Sequence, residues 1–156
     1  MTLQHLIRRH AFTEGLSDEQ VARLAAISTE VAFEPGTPIL QIGQLSQHLY
    51  LLFSGSVAVE LRTPQITVCV QALGPGDVFG WSALLADHDT FCQVRARERV
   101  FALRLDGTLL EHLLHTDAQL CSKLLPRTLT LMASRVKATE ERFAEMCGVR
   151  LHSAAD

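Results

Sequence analysis

Between Val31 and Asp106 apolar residues recur at every second position in short runs, and on either side of that stretch they recur at every third or fourth. Val57, Val59 and Leu61 alternate with Ser56, Ala58 and Glu60, and Ile66, Val68 and Val70 with Thr67, Cys69 and Gln71. Farther on, Cys92, Val94 and Ala96 alternate with Gln93, Arg95 and Arg97, and Phe101, Leu103 and Leu105 with Ala102, Arg104 and Asp106. Successive side chains of a strand point to opposite faces, so each run predicts a half-buried strand. Glu34-Pro35-Gly36-Thr37, Ser54-Gly55 and Leu73-Gly74-Pro75-Gly76-Asp77 lie between runs, where glycine takes positive φ and proline presets a turn. Short strands at this spacing predict a mainly β fold, a jelly roll or double-stranded β-helix with flanking helices.

The flanks carry helix signals. Leu3, Leu6 and Ile7 have helical spacing. In Leu16-Ser17-Asp18-Glu19-Gln20-Val21, Ser17 can cap, Gln20 completes a capping box, and Leu16 and Val21 staple across it; Val21, Leu24 and Ile27 then offer an apolar side. After Asp106, Leu109, Leu110, Leu113 and Leu114 predict a short helix ending near His115. Thr116-Asp117-Ala118-Gln119 reads as a second capping box, opening a helix that runs to about Cys147, where Gly148 can end it. Leu125, Leu129, Met132, Val136, Thr139, Phe143 and Met146 are spaced alternately four and three, which is a heptad seam. It predicts a homodimer through Leu129, Met132, Val136, Thr139, Phe143 and Met146, with Arg135 and Glu140 at g and e positions suited to an interchain ion pair. Pro126 is expected to kink or restart this helix. One domain is expected over 1–156: helices in 1–30, the β-roll in 31–106, helices in 107–147 and a tail in 148–156.

Composition narrows the function. A chain of 156 residues, 47% hydrophobic, can bury one core. With 20% charged residues and a net charge of −3, nothing draws it to nucleic acid or an anionic membrane. Cys69, Cys92, Cys121 and Cys147 lack close paired spacing and read as reduced, mostly buried thiols, without metal. No apolar run reaches the roughly 20 residues of a spanning helix, and Met1 to His10 lacks a secretory stretch, so a cytoplasmic protein is expected. No nucleophile triad, carboxylate pair or glycine-rich nucleotide loop is present, so no catalytic residues and no enzyme activity are expected.

Phe33-Glu34-Pro35-Gly36-Thr37-Pro38-Ile39, Gly43, Leu49-Tyr50-Leu51-Leu52-Phe53-Ser54-Gly55-Ser56-Val57 and Leu73-Gly74-Pro75-Gly76-Asp77-Val78-Phe79-Gly80, in this order, resemble the cyclic-nucleotide-binding domains of bacterial receptors of the cAMP-receptor type. The resemblance covers about Leu3 to Met146, including the helix that dimerises those receptors, and leaves no residues for their DNA-reading domain. It implies a phosphate-binding cassette in 79–94, a short helix whose N–H groups face the cyclic phosphate, aided by an arginine, with a glutamate on the ribose. Trp81 stands where the glutamate is expected and Thr90 where the arginine is expected. What the resemblance leaves as a ligand site is Phe79, Gly80, Trp81, Ser82, Ala83, Thr90, Phe91 and Val94, with Arg135 and Thr139 at positions that contact the purine. Asp87 and Asp89 add negative charge beside it. No cofactor is expected, and cAMP and cGMP are not expected to bind at physiological levels.

Several residues admit two readings. Trp81 can stack on a ligand or fill the emptied pocket, and filling is favoured. Arg135 and Thr139 fit the coiled-coil flank and seam better than a ligand. His88 is a solvated loop histidine rather than a haem or metal ligand, His112 and His115 are exposed near a helix end, and Arg95, Arg97 and Arg99 form a solvated stripe. The expected function is a stand-alone, non-catalytic sensor that takes a small ligand other than cAMP, or a cyclic nucleotide by backbone contacts alone, and signals by moving its dimer helix. The alternatives are a ligand-free dimerisation and protein-docking module, and a haem or redox sensor.

Overall fold

The computed structural model describes residues 1–85 and 92–149. Helices α1 (Leu3–Arg9) and α2 (Asp18–Ala26), joined through a 3-10 turn at Ala11–Thr13, precede strands β1 (Ser28–Phe33), β2 (Pro38–Leu40), β3 (His48–Ser54), β4 (Val57–Arg62), β5 (Thr67–Leu73) and β6 (Val78–Phe79). A second 3-10 turn (Trp81–Leu84), β7 (Cys92–Ala96), β8 (Val100–Asp106), α3 (Gly107–Thr116) and α4 (Ala118–Met146) follow. The strands form two antiparallel four-stranded sheets, β1-β8-β3-β6 and β2-β7-β4-β5, the expected jelly roll with helices at both ends. No helix of the described residues is long and apolar enough to cross a membrane.

The first sheet is covered on both faces. Leu49, Leu51, Leu103 and Leu105 join a cluster with Ile7, Val21, Leu24, Leu110, Leu120 and Leu124 from the helices. Tyr50, Leu52, Val100 and Ala102 face the roll interior with Val57, Val59, Phe79 and Val94. This is why β3 is apolar almost throughout, and why Ala102, which alternation places on the wet side, is fully buried.

Other expectations are corrected by tertiary contacts. Glu60 was expected on a solvent face but is only 2% exposed. Its carboxylate accepts from Arg95 Nε and an Arg95 terminal nitrogen at 2.9 and 2.6 Å and from Gln93 Nε2 at 3.1 Å. Arg95 is exposed with Arg97 and Arg99, as the solvated stripe requires, and its guanidinium also covers this buried carboxylate. Thr116 is not the second cap: it ends α3 and donates its hydroxyl to the His112 carbonyl, while Asp117 accepts from Leu120 N–H at 3.0 Å and caps α4. Pro126 neither breaks nor restarts α4. Its neighbours are pinned instead, with Leu124 buried, Lys123 donating to the Gly15 carbonyl, and Arg127 to the carbonyls of Phe12 and Glu14 at 2.6 and 2.7 Å. Such packing tolerates the loss of one helical hydrogen bond. The four cysteines form no disulfide, but Cys69 and Cys147 are exposed rather than buried, and Cys92 and Cys121 are half-buried. β1 begins at Ser28, three residues before the expected change of period.

The seam residues of α4 face outwards: Val136 is 55% and Phe143 69% exposed, with Leu129, Thr139 and Met146 exposed and Met132 half-buried.

Candidate functional site

β6 runs straight into the candidate site. Its last residue, Phe79, is fully buried and stacks on Tyr50 with centroids 4.7 Å apart and planes 4° from parallel. Gly80 then takes φ +83°, and a Cβ there would lie 2.5 Å from the His48 carbonyl oxygen, so only glycine fits this turn. The chain enters the 3-10 turn, where Ala83 N–H donates to the Gly80 carbonyl at 3.0 Å and Leu85 N–H to the Ser82 carbonyl at 3.1 Å.

Here lies a cavity of about 20 Å³ lined by Leu40, Gly80, Trp81, Ser82, Cys92, Val94 and Arg135. That is room for about one water molecule, far below the several hundred Å³ of an ordinary small-molecule pocket. Trp81 is half-buried and forms one wall, packing also against the helix-side cluster. It lines the cavity rather than plugging the roll interior.

The opposite wall comes from α4. Arg135 Nε–H donates to Gln71 Oε1 at 3.1 Å, and Gln71 Nε2 donates to Ser134 Oγ at 3.1 Å, tying the helix to β5. The Arg135 guanidinium also bonds the Cys92 side chain. Burial lowers its pKa from the usual value, with the Cys92 contact acting in the opposite sense. Arginine remains protonated even so. Among the described residues no carboxylate pairs with it. The expected place of Arg135 on the flank of a coiled coil gives way to one inside the cavity.

Of the expected site residues, the structure brings together Gly80, Trp81, Ser82, Val94 and Arg135. Phe79 is core, Ala83 packs closely on Gly107, and Thr139 is exposed with its hydroxyl bonded to the Arg135 carbonyl at 2.9 Å. Thr90 and Phe91, with Asp87, His88 and Asp89, lie outside the described residues. His112 and His115 are exposed, as expected. Three contributors were missed. Leu40 and Cys92 line the cavity, and Gln71 holds Arg135. Cys92 was visible as the apolar phase of β7, whereas nothing in the alternation of β5 distinguishes Gln71 from an ordinary solvated position.

Comparison with known proteins bears on the family and the fold. The family model of the cyclic nucleotide-binding domain matches residues 30–117. A cGMP-dependent protein kinase of Eimeria tenella is 28% identical over 103 residues, which is 66% of this chain and 10% of the kinase, so the chain spans only a tenth of that relative. Among solved structures, a protein of Geobacter metallireducens GS-15 assigned as cyclic nucleotide-binding superposes with a TM-score of 0.75 at 26% identity, over 87% of this chain and 99% of that one. The regulatory subunit of a cAMP-independent protein kinase A from Trypanosoma brucei, in a triple variant bound to cAMP, superposes with a TM-score of 0.69 at 22% identity, over 91% of this chain and 49% of that one.

Proposed function

We propose that this chain, which belongs to the cyclic nucleotide-binding domain family, is a non-catalytic regulatory module that does not take up cAMP or cGMP at physiological levels and acts through a homodimer formed by α4. The observation that carries the reading is the cavity of about 20 Å³, walled by Trp81 and Arg135, at the place in the fold where the cassette turn meets α4. Trp81 and Thr90 replace the two side chains that hold a cyclic nucleotide in receptors this sequence resembles. Loss of one partner of a buried charge pair costs about 3–5 kcal/mol, and each ~1.4 kcal/mol is tenfold in affinity. A micromolar site therefore becomes millimolar or weaker.

The Trypanosoma brucei subunit offers a parallel: it belongs to a cAMP-independent kinase, and its form bound to cAMP carries three substitutions, one of them threonine to arginine. Calorimetric titration with cAMP and cGMP is the test. No binding at micromolar ligand is expected, and Trp81→Glu with Thr90→Arg should gain affinity. A micromolar or tighter dissociation constant for the unaltered protein overturns the reading. The small cavity equally favours a ligand-free docking module. A thermal-shift screen against cyclic dinucleotides and haem separates the two, because a ligand of the folded state raises Tm.

A further inference from the structure

On the helix side of the first sheet, away from the cassette turn, a much roomier hollow opens where α1 meets the ends of β3 and β8. Its volume is about 500 Å³, within the range of about 300–1,000 Å³ that small-molecule pockets occupy. Leu6 and Arg9 of α1, His10, Phe53, Pro75 and Phe101 line it. Three of these carry rings set at angles to one another: His10 lies edge-on to Phe53 with centroids 5.0 Å apart, and Phe53 tilts against Phe101 at 5.9 Å. Phe53 and Phe101 are half-buried, so part of each ring is left uncovered. The polar atoms of the floor are spent on one another. The Leu52 carbonyl accepts from Gly76 N–H at 2.9 Å and faces His10 Nε2 at 3.1 Å, and no buried side-chain nitrogen or oxygen among the described residues lacks a partner. The inside of the hollow therefore offers apolar and aromatic surface, and the side-chain hydrogen-bonding capacity lies at the rim, in the exposed Arg9 guanidinium and Ser54 hydroxyl. Among the described residues no aspartate or glutamate lines it.

We infer that this hollow is a binding site for a small aromatic monocarboxylate, its ring system against Phe53, Phe101 and Leu6 and its carboxylate on Arg9 at the rim. A guanidinium receives a carboxylate through two parallel N–H donors, and aromatic rings take a further ring edge-on or offset. A cyclic nucleotide does not fit this chemistry, because its ribose and purine would lose their hydrogen bonds against apolar walls. The inference goes beyond the function proposed above and does not depend on it, since the hollow and the cavity at the cassette turn share no lining residue. It also reaches α4. Ala11, which borders the hollow, opens the 3-10 turn whose Phe12 carbonyl accepts from Arg127 at 2.6 Å, so an occupant bears on the segment that pins that helix.

The probe is 2-naphthoate, with 2-naphthalenemethanol as its uncharged counterpart, titrated by calorimetry into the unaltered protein, Arg9→Gln and Ser54→Trp, each checked for native circular dichroism. Both substitutions fall at exposed positions, which the fold should tolerate. Saturable binding of 2-naphthoate is expected. Arg9→Gln should weaken it by roughly threefold to tenfold and leave the affinity for the alcohol unchanged, since the alcohol brings no charge to the rim. Ser54→Trp sets an indole in the mouth of the hollow and should abolish binding of both, whereas excess cAMP should displace neither. A flat titration of 2-naphthoate into the unaltered protein overturns the inference. So does an affinity that Arg9→Gln or Ser54→Trp leaves untouched, an equal loss for acid and alcohol in Arg9→Gln, or displacement of the probe by cAMP, which would place it at the cassette turn.

Discussion

The two halves of α4 follow different rules. From Ala118 to Arg135 the helix is part of the fold: Leu120 and Leu124 are buried, Lys123 and Arg127 donate to backbone carbonyls of the N-terminal segment, and Arg135 is held by Gln71. From Val136 to Met146 the apolar residues are exposed, and the ion pair there, Arg142 to Glu145 at 2.7 Å, stays within the helix. One heptad pattern runs through both halves. In the first half the core takes an adjacent stripe, Leu120, Leu124 and Leu131, and leaves the seam aside; in the second half the seam is the main apolar surface. Sequence period therefore reports an apolar stripe but not what covers it.

The sharpest contrast is in stability. Leu120 is fully buried, so Leu120→Ala should cost about 2–5 kcal/mol. Phe143→Ala should change the stability of the monomer by less than about 0.5 kcal/mol. Urea unfolding at a concentration where the protein is monomeric reads both. Equal losses would erase the distinction between the halves.

Acid should loosen the first half and spare the second. His10 is buried, its Nδ1 accepts from Phe12 N–H at 3.2 Å and its Nε2 faces the Leu52 carbonyl at 3.1 Å, so the neutral ring with a proton on Nε2 fits and the imidazolium does not. Burial lowers its pKa below the usual value, against weaker opposing contributions from Leu52 and Asp77. The unfolded chain then binds more protons than the folded one. The stabilisation is complete above the ordinary histidine range and is lost as pH falls through the lower folded value. The carbonyl of Phe12 accepts from Arg127, so the loss should reach the dock of α4. Tm measured from about pH 8 down to about pH 5 should fall, and His10→Gln should flatten that slope. An unchanged slope in the variant would assign the effect to other groups, such as His48, whose pKa burial also lowers.

The smallest effect belongs to Thr139, whose hydroxyl is turned back to the Arg135 carbonyl at an exposed seam position. Thr139→Leu should tighten a dimer by less than about tenfold, measured by sedimentation equilibrium. A weaker dimer would place Thr139 outside the interface.

Architecture was legible where local signals agree with tertiary ones. Ser17 and Gln20 form the expected capping box, with hydrogen bonds of 3.2 and 3.0 Å. The alternation of β7 buries Val94 and Ala96 as read, and Gly148 takes positive φ just after α4. What escaped depends on partners distant in sequence. Glu60 is buried because Arg95, 35 residues on, covers it. Pro126 is accommodated because Arg127 reaches Phe12, 115 residues back. Of the candidate site, the Gly80 turn and Trp81 were readable from motif order and Arg135 from the resemblance, but what holds Arg135 was not, since a g position on a heptad gives no sign that β5 holds Gln71 opposite it.

Light scattering across protein concentration, on the unaltered chain and on Val136→Asp, tests the division of α4 most directly. Val136 is 55% exposed in one chain, so the aspartate costs the monomer little, whereas across a two-fold seam it sets like charges together in a desolvated place. The account predicts a dimer for the unaltered protein and a folded monomer for Val136→Asp. An unaltered chain that stays monomeric at every concentration, or a Val136→Asp variant that stays dimeric, would contradict it.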